Sequence, residues 1–165
     1  MEFWKQVRMA ETTIEQQESI IELTVIGDIK SGFETLGQCP SSSRFNPNEC
    51  IIELKQEFAE GLHNIELASH ILVLYWFDRA NRNALMRKTK PDQAKRGVFA
   101  SRSPGRPNPI AVSVVKLLGH EGNSLRVSGM DCLDGTKVID IKPYIPADDR
   151  FDDAQIKWQL PQPKN

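Results

Sequence analysis

Two arginines four residues apart, Arg102 and Arg106, stand in the run from Gly97 to Ile110 among Pro104, Pro107, Pro109 and Asn108. Each guanidinium is a planar fork of donors that matches a carboxylate, a phosphate or the edge of a nucleobase. The prolines remove amide donors and restrict the residues before them, which excludes a helix and implies a rigid loop. On these residues alone two readings stand. The loop either holds two cations at fixed positions, or it is a proline-stiffened turn with solvated arginines.

Carboxylates lie nearby in sequence. Asp78 and Arg79 close the apolar run Leu72–Phe77, so their charges sit at a strand end, either solvated or on the rim of a pocket. Asp134, Thr136 and Asp140 surround a turn that leads into Val138–Tyr144. Asp140 interrupts an apolar strand. Facing inward it needs a partner, because a lone buried carboxylate is expensive, and Arg102 is one candidate. His63, His70 and His120 form no metal-binding spacing, and no HExxH or nucleophile-elbow serine is present, so no metal site is expected. Cys39, Cys50 and Cys132 show no CxxC pair and read as small buried hydrophobes in a reducing, cytoplasmic compartment.

Charge is uneven along a chain whose formal net charge is only -1. From Arg79 to Arg106 the basic residues Arg79, Arg82, Arg87, Lys88, Lys90, Lys95, Arg96, Arg102 and Arg106 face one acid, Asp92. Such a segment can carry an anion-binding face, or it is a solvated loop.

The elements that must position these groups are short. A first strand is expected from about Ile20 to Ile29, where Ile21, Leu23 and Val25 alternate with Glu22 and Thr24. A long Ser-, Gly- and Pro-rich connection follows, then a strand over Cys50–Leu54, one or two helical turns around Phe58, Leu62 and Ile65, and a central strand over Ile71–Phe77. The basic segment to Arg96 has no clean period and reads as a loop with a short helix. Strands resume at Gly97–Ser101, Ile110–Leu118, Leu125–Met130 and Val138–Ile141, with Asp134-Gly135 a strong turn pair. This pattern predicts a mainly β, compact single-domain β-barrel with short helices and long irregular loops, since crossover helices are missing. The expected division is a polar arm over residues 1–18, the barrel over 19–147 and a C-terminal tail over 148–165. No stretch reaches the roughly 18 apolar residues of a membrane span, so no membrane partner is expected. No Rossmann or Walker fingerprint appears.

The run Gly97–Leu117 followed by Asp131–Pro146 resembles the TrmO family, also called TsaA-like or YaeB-like, in its GVFATRSPxRPNPI and DGTPVxDIKPY blocks. That resemblance implies an S-adenosyl-L-methionine-dependent methyltransferase on a small β-barrel. It implies methylation of N6 of the threonylcarbamoyl-modified adenosine at position 37 of tRNA, by a homodimer with the cofactor near the subunit interface. Arg102 falls on the arginine of the first block, Arg106–Pro109 on its RPNP, Asp134–Thr136 on DGT and Asp140–Tyr144 on DIKPY. The chain departs from the family in lacking a Pro-Arg-Gln tripeptide in the first long loop, in Lys137 where proline is usual, and in Asp78 where histidine is frequent.

By that resemblance and the clustering of polar residues at strand ends, the cofactor is expected against Asp78, Arg79, Arg102, Leu133, Asp134, Gly135 and Thr136. Asp78 and Asp140 are the candidate catalytic carboxylates, steering the amine by accepting an N–H. Arg106, Asn108 and Tyr144 are expected to seat the target nucleotide, with Arg87, Lys88 and Lys90 on the RNA backbone. Strand edges left open by a small barrel add a reason to expect a homodimer. A small-molecule substrate, or a non-catalytic nucleotide- or RNA-binding module, are the alternatives.

Overall fold

The computed structural model describes residues 20–40, 47–89 and 92–159. The expected arm over 1–18, Lys90, the segment 41–46 and the last residues from 160 lie outside them. The described residues form eight strands: β1 (Gly27–Lys30), β2 (Glu49–Leu54), β3 (His70–Trp76), β4 (Met86–Lys88), β5 (Lys95–Gly97), β6 (Ile110–Glu121), β7 (Ser124–Ser128) and β8 (Thr136–Pro143). Six of them close an antiparallel barrel in the order β1-β2-β7-β6-β3-β8, while β4 and β5 pair as a separate hairpin. The β-barrel expectation stands.

Period-two alternation fills the barrel. Cys50, Ile52 and Leu54 of β2, Ile71, Val73 and Tyr75 of β3, and Leu125 and Val127 of β7 are all buried. Each large apolar side chain of this kind contributes about 1.5–3 kcal/mol. Gly27 is required where β1 meets β2, since a Cβ there would lie 2.4 Å from Glu53 O and 2.8 Å from Leu54 Cα. Short 3-10 turns over Gln56–Leu62 and Ile65–Leu67 bring Leu62 and Ile65 to the core.

Four expectations need correction. The first strand starts at Gly27, not Ile20. Ile21 and Leu23 alternate with polar residues as a strand would, yet they are exposed. The basic segment holds the hairpin β4–β5 in place of a short helix. Val98–Ala100 is a 3-10 turn instead of a strand, because Ser101 N bonds back to Val98 O. The barrel also closes on itself, so open edges in it give no reason to pair.

Strand direction decides where the connections gather. In a closed antiparallel barrel alternate connections share an end, and the three that carry the candidate residues are residues 31–48, 77–109 and 129–135. All three emerge at one mouth. The 3-10 turns of 55–69 and the tight turn between β6 and β7 occupy the opposite end. Among the described residues no helix is long and apolar enough to cross a membrane.

Candidate functional site at the loop-bearing mouth

Both arginine forks grip backbone. Arg106 donates from Nε to Ser103 O at 2.8 Å and from Nη2 to Ser101 O at 2.5 Å and Val98 O at 3.2 Å. It is half-buried, and it staples the proline-rich loop into one shape. Arg102 reaches the carbonyl of Val112 on β6 while its side chain remains exposed. Arg82 donates to Pro107 O at 2.9 Å and lies 5.4 Å from the centre of the Trp76 ring, close enough for a cation–π contact. Arg82 and Arg102 therefore tie this loop to β3 and β6, and Arg106 ties it to itself.

The turn after β7 is tied to the exit of β1. Asp134 N donates to Phe33 O at 2.8 Å, Gly32 N to Asp134 Oδ1 at 3.1 Å, and Gly135 N to Ile29 O at 2.8 Å. Thr136 Oγ1 donates to Leu133 O at 2.6 Å. Gly135 has φ 74°, the left-handed value a turn of this kind needs and glycine adopts without strain. Asp78 and Arg79 follow β3 at the same mouth. Both are exposed, and neither makes a hydrogen bond or ion pair with the other described residues.

Asp140 and Tyr144 are carried away from this group. A bulge opposite Leu74/Tyr75 inserts one residue in β8, so Val138 and Ile141 face inward and Asp140 shares the outer side with Leu74. The burial cost is avoided in this way, and Asp140 pairs with Lys142 at 2.7 Å instead of Arg102. Asp140 lines a groove of about 480 Å³ with Ile26, Leu54, Phe58 and Ile65. Tyr144 lies at the opposite end, its amide bonded to His70 O at 3.1 Å. One chain thus brings Asp78, Arg79, Arg102, Arg106, Asn108 and Leu133–Thr136 to one mouth, but not Asp140 or Tyr144.

Beside that mouth a second groove, about 460 Å³, is lined by Leu23, Val25, Trp76, Ile110 and Ile139 with Arg82, Asn108 and Lys137 at its polar positions. Asn108 is exposed there. Lys137, the departure from the family's proline, pairs with Asp28. On the hairpin Lys88 and Lys95 are exposed, whereas Arg96 pairs with Asp92 at 2.5 Å and stacks 4.6 Å from the Trp158 ring. Arg87 lies across Gly105, its Nη1 filling the space a Cβ would need.

No thiol here is an activated nucleophile. Burial pushes Cys132 up to about 12, with Asp131 adding and a Thr136 hydrogen bond opposing. Burial likewise raises Cys50 and Cys39. Asp131 is the residue that sequence reasoning passed over. Its neighbours Asp134-Gly135 carry the turn signal, whereas its own partners, Tyr75 and Ser113, come from β3 and β6.

Residues 28–150 match the family described as tRNA-methyltransferase O N-terminal domain. The chain is 46% identical over 139 residues to an S-adenosyl-L-methionine-binding protein of Archaeoglobus fulgidus, spanning 84% of this chain and 99% of that protein. It is 45% identical over 139 residues to a probable S-adenosyl-L-methionine-binding protein of the same organism, spanning 84% of this chain but 38% of that one. The crystal structure of TrmO from Pseudomonas aeruginosa superposes with TM-score 0.72 at 37% identity, over 86% of this chain and 62% of that chain. The chain thus spans less than two thirds of each of these last two proteins.

Proposed function

The chain belongs to the TrmO N-terminal domain family, a family of S-adenosylmethionine-binding, methyltransferase-like proteins, and from that premise we propose that it methylates N6 of the threonylcarbamoyl-modified adenosine at position 37 of tRNA. The observation that carries the reading is the mouth itself, where three long connections meet and the arginine-rich loop is clamped by its own cations.

The exposed pair at that mouth fits the cofactor. Asp78 offers a carboxylate to its ammonium group and Arg79 a guanidinium to its carboxylate, both without other partners among the described residues. The turn Leu133–Thr136 and exposed Arg102 border the same space. Bound there, the cofactor supplies an electrophilic methyl group on a sulfonium. The protein's task is then alignment more than proton transfer, because a held near-attack geometry supplies much of the rate. Asp78 is the better placed of the two candidate carboxylates to accept an N–H of the target amine, on the oxygen the ammonium leaves free, since it stands at the mouth while Asp140 lies on the outer side of β8. Water takes the proton released after transfer.

Lys88 and Lys95 on the hairpin supply phosphate contacts, with Asn108 seating the target nucleotide at the edge of the apolar groove. The protein acts as a homodimer. Support comes from the outer face of β6, where Ile110, Val112 and Val114 are 40%, 39% and 41% exposed. A solvated barrel face is ordinarily polar, and an apolar row of this kind suits a partner surface. Three free thiols suit a reducing cytoplasm.

Calorimetric titration with the cofactor, followed by transfer of labelled methyl into total tRNA and into a metabolite extract, tests the reading. Cofactor binding with incorporation into threonylcarbamoyl-modified tRNA is expected. Turnover of a small molecule without tRNA would replace the substrate assignment, and absence of cofactor affinity would leave a binding module.

A further inference from the structure

A polar cluster interrupts the apolar interior just below the mouth. Tyr75 is 2% exposed on the inward face of β3, and Ser113 is 2% exposed on the inward face of β6. The Tyr75 hydroxyl donates to Asp131 Oδ1 at 2.8 Å and lies 3.0 Å from Ser113 Oγ. Ser113 Oγ donates to the same carboxylate oxygen at 3.3 Å. Each hydroxyl thus has one proton to place, and a single oxygen accepts both. The Tyr75 ring is held edge-on to Phe77, 5.3 Å between centres, which keeps the hydroxyl oxygen beside Ser113 and Asp131.

Buried hydroxyls without an acceptor are costly, so the barrel interior fixes where Asp131 must be. Asp131 begins the turn whose next residues, Leu133–Thr136, border the proposed cofactor site. Rim bonds from Gly32, Phe33 and Ile29 hold the far side of that turn. The turn is consequently anchored twice, once at the rim and once inside the barrel.

We infer that Asp131 is a positioning residue for this site, and that the Tyr75–Ser113 hydroxyl pair sets the placement of residues 131–136 through it. This role rests on the proposed function for its ligand, but the clamp can be read without one. Its chemistry is that of a neutral-tolerant acceptor: the oxygen is needed and the charge is not.

Four variants separate these elements: Tyr75→Phe, Ser113→Ala, Asp131→Asn and Asp131→Ala. Two readouts are taken on each, amide exchange at residues 131–136 relative to β2 and β7, and the Kd for S-adenosylhomocysteine by calorimetry. Tyr75→Phe keeps the ring and is expected to speed exchange in the turn about fivefold and weaken the ligand by a similar factor, as loss of one such bond implies. Asp131→Ala is expected to lose at least about tenfold in both. Asp131→Asn retains the accepting oxygen and is expected to stay within about threefold of the parent. Ser113→Ala is the mildest change and keeps the test open should Asp131→Ala not fold. The inference is overturned by unchanged turn exchange in Tyr75→Phe and Ser113→Ala. It is also overturned if Asp131→Asn is as impaired as Asp131→Ala while Tyr75→Phe behaves as the parent, since charge on the ligand is then the role. Failure of the parent protein to bind S-adenosylhomocysteine overturns the proposed function, with turn exchange still deciding the clamp.

Discussion

Replacing Arg106 by alanine is expected to loosen the arginine-rich loop before it affects anything the loop touches. Arg106 donates three hydrogen bonds to carbonyls of its own loop, at 2.8, 2.5 and 3.2 Å. A bond from a charged donor contributes about 1.5–3 kcal/mol net. Two of the three share one nitrogen, and the freed carbonyls can be hydrated at this surface, so the losses do not add in full. A local cost of about 3 kcal/mol follows, on the order of a hundredfold in the opening equilibrium of the loop. The ends of the loop stay pinned, because Val98 is 1% exposed and Pro109 is fully buried, so global unfolding should shift far less. Amide exchange at Ser101, whose N–H bonds to Val98 O, reads the opening, and exchange at the pinned Val98, whose N–H bonds to Leu85 O, is the reference. Arg106→Lys separates clamp from ligand contact: an ammonium keeps the charge but cannot span three carbonyls as a planar fork does. It should therefore exchange nearly as fast as Arg106→Ala. Exchange at the parent rate in both variants, with RNA binding lost, would show that Arg106 meets the substrate and does not shape the loop.

Three further outcomes are expected. Gly27→Ala should destabilise the barrel by about 1–3 kcal/mol, because the new Cβ meets backbone and not a movable side chain; a melting temperature equal to the parent's would refute the close approach. Stability should fall as pH rises from 9 towards 12, since the unfolded Cys132 thiol releases near 9.0 a proton that the folded one keeps to about 12. Cys132 contributes up to about 1.4 kcal/mol per pH unit to that slope, beside the smaller part from Cys50, Cys39 and Tyr75, which burial also raises, and Cys132→Ala should lower the slope by that share in denaturant titrations between pH 8.5 and 11; an unchanged slope would assign the loss to the other groups. Changing Lys88 and Lys95 together to alanine should weaken tRNA binding and lower the salt slope by about 0.7–0.9 per lost phosphate contact, leaving cofactor affinity unchanged. An unaltered slope would remove the hairpin from the RNA interface.

What could be read from the residues depended on whether a single period or a single bond carried the information. β2, β3 and β7 alternate cleanly, and their inward sets are the core. The same alternation misleads at Ile21 and Leu23, which line a groove without strand pairing of their own. The hairpin β4–β5 has charged side chains on both faces and no apolar stripe to announce it. It is held by Arg87 over Gly105, by Arg96 on Asp92 and Thr89, and by Thr89 N to Ala94 O. Arg102 and Arg106 were visible as candidates, but the carbonyls that occupy them were not, because those bonds depend on the path the prolines impose.

The placement of the mouth is a different kind of fact. Six antiparallel strands joined in a closed ring put every second connection at the same end, whatever the residues in those connections are. Long connections after β1, β3 and β7 therefore had to meet once β7 inserted between β2 and β6. That insertion rests on Leu125 and Val127 facing the same interior as Ile52 and Val115, a pairing between segments far apart in the chain. Asp131 acquires its partners by the same step. As β7 runs beside β6 towards the mouth, the residue three beyond its end reaches Ser113 on β6 and Tyr75 on the next strand. The site's internal anchor is thus a consequence of strand order, which explains why a turn motif beside it was legible and the anchor itself was not.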